Sequence, residues 1–217
     1  MKATLKLIAA IAFIFFATET IQAQQSEKQL KKEVSSKTSK SVRKDAKKYV
    51  KQGYYVAPGG LPIDKQLERA QMKAYETNDK GEPKYLIESG NSVAETQTAA
   101  KLQATETAKL SLAGQISTQV AALIENSIAN QQLNTEEAAS VTKTVAASKN
   151  LIAQELGRVI PLVEMYKKIG TNVEANVQLA YDMEAAFDIA RKVIRKSLEE
   201  ETKIAHEKLE GLLKFNE

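Results

Sequence analysis

Between Val93 and Ile128 apolar residues recur at gaps of three or four, through Leu102, Leu110, Ala113, Ile116, Val120, Leu123, Ile124 and Ile128. That spacing predicts one helix of about 54 Å, with Ser92 and Glu95 as its capping box. An element of this length dictates what the rest of the chain has to cover. Its many alanines and serines suit close approach to a neighbour. Asn134–Thr135–Glu136–Glu137 repeats the capping arithmetic, and Ala138, Val141, Val145, Ser148 and Ile152 predict a second helix that ends at Gly157.

The period then changes from 3.6 to 2. Val173, Ala175, Val177, Leu179, Tyr181 and Met183 alternate with polar neighbours, which predicts a strand with one buried face and one wet face. Val159–Tyr166 before it and the Gly170 turn complete a hairpin, and Pro161 places the first strand near an edge. Upstream, Pro62 with Ile63, Leu67, Ala70 and Ala74 predicts a helix over 62–76. Lys84–Ser89 predicts a third strand that stops at Gly90. Phe187, Ala190, Ile194, Leu198, Ile204 or Ala205, and Leu212 predict one final helix. The fold class is α+β: a three-stranded antiparallel sheet packed against long alanine-rich helices, preceded by a basic, partly helical arm.

The N-terminus reads as an export signal. Lys2 and Lys6 precede the apolar run Leu7–Ala17, which is too short to span a bilayer, and Ile21–Gln22–Ala23 resembles a cleavage site. The expected mature start is Gln24, and an uncleaved membrane anchor is the alternative. No cysteine follows the run, so lipidation of the bacterial type has no acceptor. The expected organisation is a signal over 1–23, a basic arm and linker over 24–60 and one domain over 61–217.

The formal charge of +4 conceals an asymmetry. From Gln24 to Gln52 ten lysines and arginines face only Glu27, Glu33 and Asp45, a charge of +7. Residues 53–217 hold 19 basic and 23 acidic groups, or −4. Attraction to an anionic surface through Lys31, Lys32, Lys40, Arg43, Lys44, Lys47 and Lys48 is the sharper reading of the arm, and a solvated leader the plainer one. Nucleic acid fits poorly, because the arm lacks interleaved aromatics to stack on bases.

Several stretches carry a resemblance. An exported basic leader, "PKYLIESG", "AAKLQATETAKLSLAGQISTQVAALIEN" and the hairpin "GRVIPLVEMYKK" to "EANVQLAYDM" resemble the twenty-kilodalton envelope lipoprotein family. The stretches "APGGLPIDKQLERA" and "EEAASVTKTVAASKNLIAQELGRVIP" are similar to secreted proteins of gut-type bacteria. The resemblance covers roughly residues 60–195. It implies an α+β envelope protein of the outer membrane or periplasm, some relatives serving flagellar assembly. It brings no catalytic residue, and the family's lipidated cysteine is missing here.

Composition excludes much chemistry. Without cysteine there is no thiol nucleophile or thiolate metal site, and His206 is the only imidazole. His206 with Glu210 makes too small a ligand set. Asp182 and Asp188 sit at a strand-to-helix junction, where water contact and a favourable helix dipole account for them. Pro58–Gly59–Gly60 lacks the lysine of a phosphate loop, and Ser148–Lys149 reads as helix surface. No catalytic, cofactor-binding or metal residue is assigned. The expected function is that of a non-enzymatic exported envelope protein acting through assembly or surface binding. A periplasmic binding module for a small ligand or acidic polymer is the alternative. A homo-oligomer is also expected. Two long helices pairing beyond the sheet would leave Val120, Leu123, Ile124 and Ile128 uncovered at their far end. A helix bent at Gly114 would cover them internally instead.

Overall fold

The computed structural model describes residues 40–128, 133–201, 204 and 206–214. The expected signal peptide and the first part of the arm, Lys31 and Lys32 included, lie outside these residues. Among the described residues the order is α1 (40–51), β1 (Tyr54–Tyr55), α2 (Ile63–Ala74), β2 (Tyr85–Ala94), α3 (Gln97–Ile128), α4 (Thr135–Ala147), α5 (Lys149–Glu155), β3 (Ile160–Ile169), β4 (Asn172–Asp182), α6 (Met183–Glu201) and α7 (His206–Leu213). The chain divides into two units, 1–45 and 46–217. In the first, residues 40–45 are helical, with Val42 buried and Lys40, Arg43 and Lys44 exposed. The second holds the sheet and the other helices.

The protein is α+β, with one correction. The antiparallel sheet has four strands, in the order β1-β3-β4-β2, rather than three. The added strand is β1, whose Tyr54 and Tyr55 pair with Lys167 and Tyr166. Two residues are too few to show a period. The packed domain likewise begins upstream of residue 61, since Ala46 is buried and Tyr49 packs beside it in the smaller of two cores.

The larger core lies between one sheet face and helices α3 to α7. Ala175, Val177, Leu179 and Tyr181 of β4 point into it, as the alternation requires. The smaller core, on the other face, gathers Ile63 and Ala70 of α2 with Leu162, Val163, Met165 and Ala180. The opposite face of β4 is therefore only partly wet. Ala180 lies under α2, while Asn176 bonds Asn91 at 2.6 Å and Gln178 bonds Ser89 at 3.4 Å.

Gly90 does not end β2; it lies inside the strand, opposite Val177, and is buried. A Cβ built there would stand 2.0 Å from the Ala104 carbonyl oxygen and 2.6 Å from the Ala108 nitrogen. Only glycine lets α3 come down to that distance. This close approach selects the face of α3. Ala100, Ala104, Ala108 and Leu112 are fully buried, whereas Leu102 is 64% exposed and Leu110 44%. Helix α3 begins at Gln97 instead of Val93, because β2 continues through Ala94. Its first turn is held by the Thr96 hydroxyl, which accepts from the Ala99 N–H at 3.2 Å. Ser92 is a strand residue that donates to Gln103 at 2.6 Å.

The capping box of α4 is present. The Asn134 side chain accepts from the Glu137 N–H at 2.8 Å, and Glu137 accepts from the Asn134 N–H at 3.0 Å. Lys208 of α7 reaches the same carboxylate at 3.0 Å, fastening α7 to α4. The final helix is two helices, and α6 and α7 add Leu198, Leu209, Leu212 and Leu213 to the larger core. Val120 and Ile124 are consequently buried in the chain's own core, with Val141 and Val145. Leu123 and Ile128, the other two residues on which the oligomer expectation rested, are half-buried against the same core, and α3 runs unbroken through Gly114.

The free edge of β3 is closed by α2. Hydrogen bonding runs Met183 N–H to Lys84 carbonyl, so the even residues of β2 face β4. The same alternation leaves Glu164 pointing outward from β3. Its N–H donates to Gln66 Oε1 at 2.6 Å, while Gln66 Nε2 donates to the Leu61 carbonyl at 2.7 Å. Arg69 donates to the Pro161 and Leu162 carbonyls beside a bulge in the β3–β4 register. Gln66, 6% exposed, stands in for a missing strand. Gln66→Ala is expected to cost about 2 kcal/mol, a fall of about 4–8 °C in Tm, readable by calorimetry.

Candidate functional site

The described surface is most distinctive where the end of α1 meets the tip of the β3–β4 hairpin. Ala46 and Tyr49 face inward, which turns Lys47, Lys48, Val50 and Lys51 to solvent. Gly53 reverses the chain at φ 91°, and β1 then pairs with β3. The register that joins Tyr54 to Lys167 sets Gly53 alongside Lys168, so lysines more than 110 residues apart in sequence share one end of the sheet. Glycine's left-handed conformation makes the reversal without strain.

Tyrosines pin this end. Tyr49 and Tyr54 meet edge to face, with ring centres 5.4 Å apart, and Tyr55 lies 5.9 Å from Tyr166. Tyr54 donates to Glu174 at 3.0 Å, Tyr55 to Gln97 at 3.2 Å and Tyr166 to Glu164 at 2.5 Å. Glu164 also pairs with Lys101 at 2.7 Å, and the Lys167 ammonium lies 5.6 Å from the centre of the Tyr54 ring. Burial first, and then the Glu174 carboxylate, push the Tyr54 phenol up to about 12; burial and Glu164 raise Tyr166 as well. Both groups favour the neutral phenol in the folded state. Their stabilisation is complete below pH about 10 and is lost as pH rises through the folded values. An alkaline melting series is expected to show Tm falling from pH about 10 to about 12, and Tyr54→Phe is expected to flatten that slope.

Among the described residues, clefts also lie elsewhere. One of about 300 Å³ runs between the 78–84 turn and the start of α6, lined by Lys80, Glu82, Lys84, Asp182, Phe187 and Arg191. A second, of about 220 Å³, lies along the closed β3 edge between Val56, Leu61, Arg69 and Leu162. The residues weighed from sequence fall as follows. Asp182 lines the first cleft and caps α6, accepting from the Ala185 N–H at 3.1 Å. Asp188 is exposed and pairs with Arg191 at 2.9 Å. His206 opens α7, and Glu210 is held by Arg195. Ser148 is buried, donating to the Thr144 carbonyl at 2.8 Å, so it is not helix surface; Lys149 is exposed. Gly59 makes a left-handed turn at φ 82°.

Sequence reasoning found the lysines of α1 and missed Lys167 and Lys168, which read there only as a turn. Among the described residues no three acidic or imidazole groups stand together as a metal would require, and no helix is long and apolar enough to cross a membrane. Comparison with protein-family models, with curated proteins and with solved structures returns no match.

Proposed function

We propose that this is an exported, non-enzymatic protein of the bacterial cell envelope, which attaches to an anionic surface through its basic arm. One observation carries the reading: in unit 46–217 Ala46 of α1 is buried while Lys47, Lys48 and Lys51 are exposed, and in the first unit Lys40, Arg43 and Lys44 are exposed while Val42 is buried. Exposed lysines close in sequence give a field that adds up at an opposing anionic surface. The acidic balance of residues 53–217 favours the arm as the point of contact. In the larger cleft Asp182 caps α6, Lys84 pairs with Glu76 and Arg191 pairs with Asp188. The likeness to envelope lipoproteins points the same way. The 300 Å³ cleft supports a second reading, a binding module for a small charged ligand.

Fractionation of the native source with N-terminal sequencing tests the first reading. A chain beginning at Gln24, held in the envelope and released by salt, is expected. A chain beginning at Met1 in the cytoplasm overturns it.

A further inference from the structure

We propose that the end of the sheet beside α1 docks on a bilayer of anionic lipid, inserting three apolar side chains among its lysines. The inference rests on the attachment reading above and names the surface involved. In unit 46–217, Val50 is 60% exposed, Val93 48% and Ile169 43%, and none belongs to either core. Pairing brings them to one end. Tyr54 opposes Lys167, Lys167 opposes Glu174, and Glu174 opposes Val93, so these four form a row across the sheet. Ile169 lies two residues beyond Lys167, on the same face by alternation. Val50 is bonded through its carbonyl to the N–H of Gly53, which adjoins Tyr54.

Lys47, Lys48, Lys51 and Lys167 lie beside this apolar set, and Lys168 follows at the same end on the opposite face of the sheet. Within unit 46–217 the carboxylates within two residues of this apolar set in sequence or opposite it in register are Glu174, engaged by Tyr54, and Glu95, against the five lysines just named. A soluble polyanion would use the lysines and leave the three apolar side chains in water. A lipid surface takes both, because acyl chains receive the apolar tips while phosphate headgroups face the ammonium groups. The tyrosines just behind, with apolar rings and polar hydroxyls, suit the headgroup level.

The test uses the protein recovered from an exporting host, with vesicles of mixed phosphatidylglycerol and phosphatidylcholine, vesicles of phosphatidylcholine alone, and soluble polyphosphate. Binding to the anionic vesicles and not to the neutral ones is expected. Combined Val50→Ser, Val93→Ser and Ile169→Ser leaves every charge in place and is expected to weaken vesicle binding about tenfold, with polyphosphate binding unchanged. If the combined variant melts early, Val50→Ser and Ile169→Ser singly are each expected to weaken vesicle binding about threefold. Variants that bind vesicles as tightly as the wild type overturn the inference. So does binding of polyphosphate without vesicles, which leaves attachment to an anionic surface standing. Binding to neither probe removes both.

Discussion

Ile124→Glu is expected to abolish cooperative folding. Ile124 is 1% exposed and shares the larger core with Val120, Val141, Leu209 and Leu212. Removing the isoleucine alone costs about 2–5 kcal/mol, and an unpaired carboxylate in its place adds several more. The total is comparable with the whole stability of an ordinary domain, about 5–15 kcal/mol. Circular dichroism should show no sharp thermal transition, whereas Leu102→Glu, on the exposed side of the same helix, should stay within about 0.5 kcal/mol of wild type. Sedimentation gives the second readout. A folded monomer released from a larger species by Ile124→Glu would mean that this residue serves contact between copies, contrary to its burial here.

Gly90→Ala is expected to lower Tm by about 6–12 °C, although it adds only one methyl group. The new Cβ meets main-chain atoms of Ala104 and Ala108, which no rotamer change can move aside. Either α3 lifts from β2 or the strand bends. Both loosen the packing of Ala100, Ala104, Ala108 and Leu112, at about 3 kcal/mol. Calorimetry checks the value. A Tm unchanged within about 1 °C would show that α3 and β2 stand further apart than described.

The same contact explains why the helix was legible in sequence and its buried face was not. Spacing located the start of α3 to within a few residues. Ranking by hydrophobicity selected Leu102 and Leu110, yet a helix lowered onto a glycine has room there only for alanine. The separation of two backbones is a tertiary quantity that periodicity does not carry. The β3–β4 hairpin and the α4 cap were readable because each is encoded locally, by alternation around Gly170 and by Asn134 with Glu137. β1 was too short to read, and closure of the far helix end depended on α6 and α7 folding over Val120 and Ile124. The basic half of the candidate site was plain as composition. Its other half, Lys167 and Lys168 with Val93 and Ile169, joins it only through sheet register.

Attachment by charge is the centre of this account, and ionic strength addresses it most directly. Binding of the exported protein to its isolated native envelope, measured from about 0.05 to 0.5 M salt, is expected to weaken steeply as screening shortens the reach of the lysines. The combined variant Lys44→Gln, Lys47→Gln, Lys48→Gln and Lys51→Gln is expected to bind weakly throughout and to lose most of that salt dependence. Binding that stays constant across the salt range, or that survives the four substitutions undiminished, would contradict attachment through the basic arm.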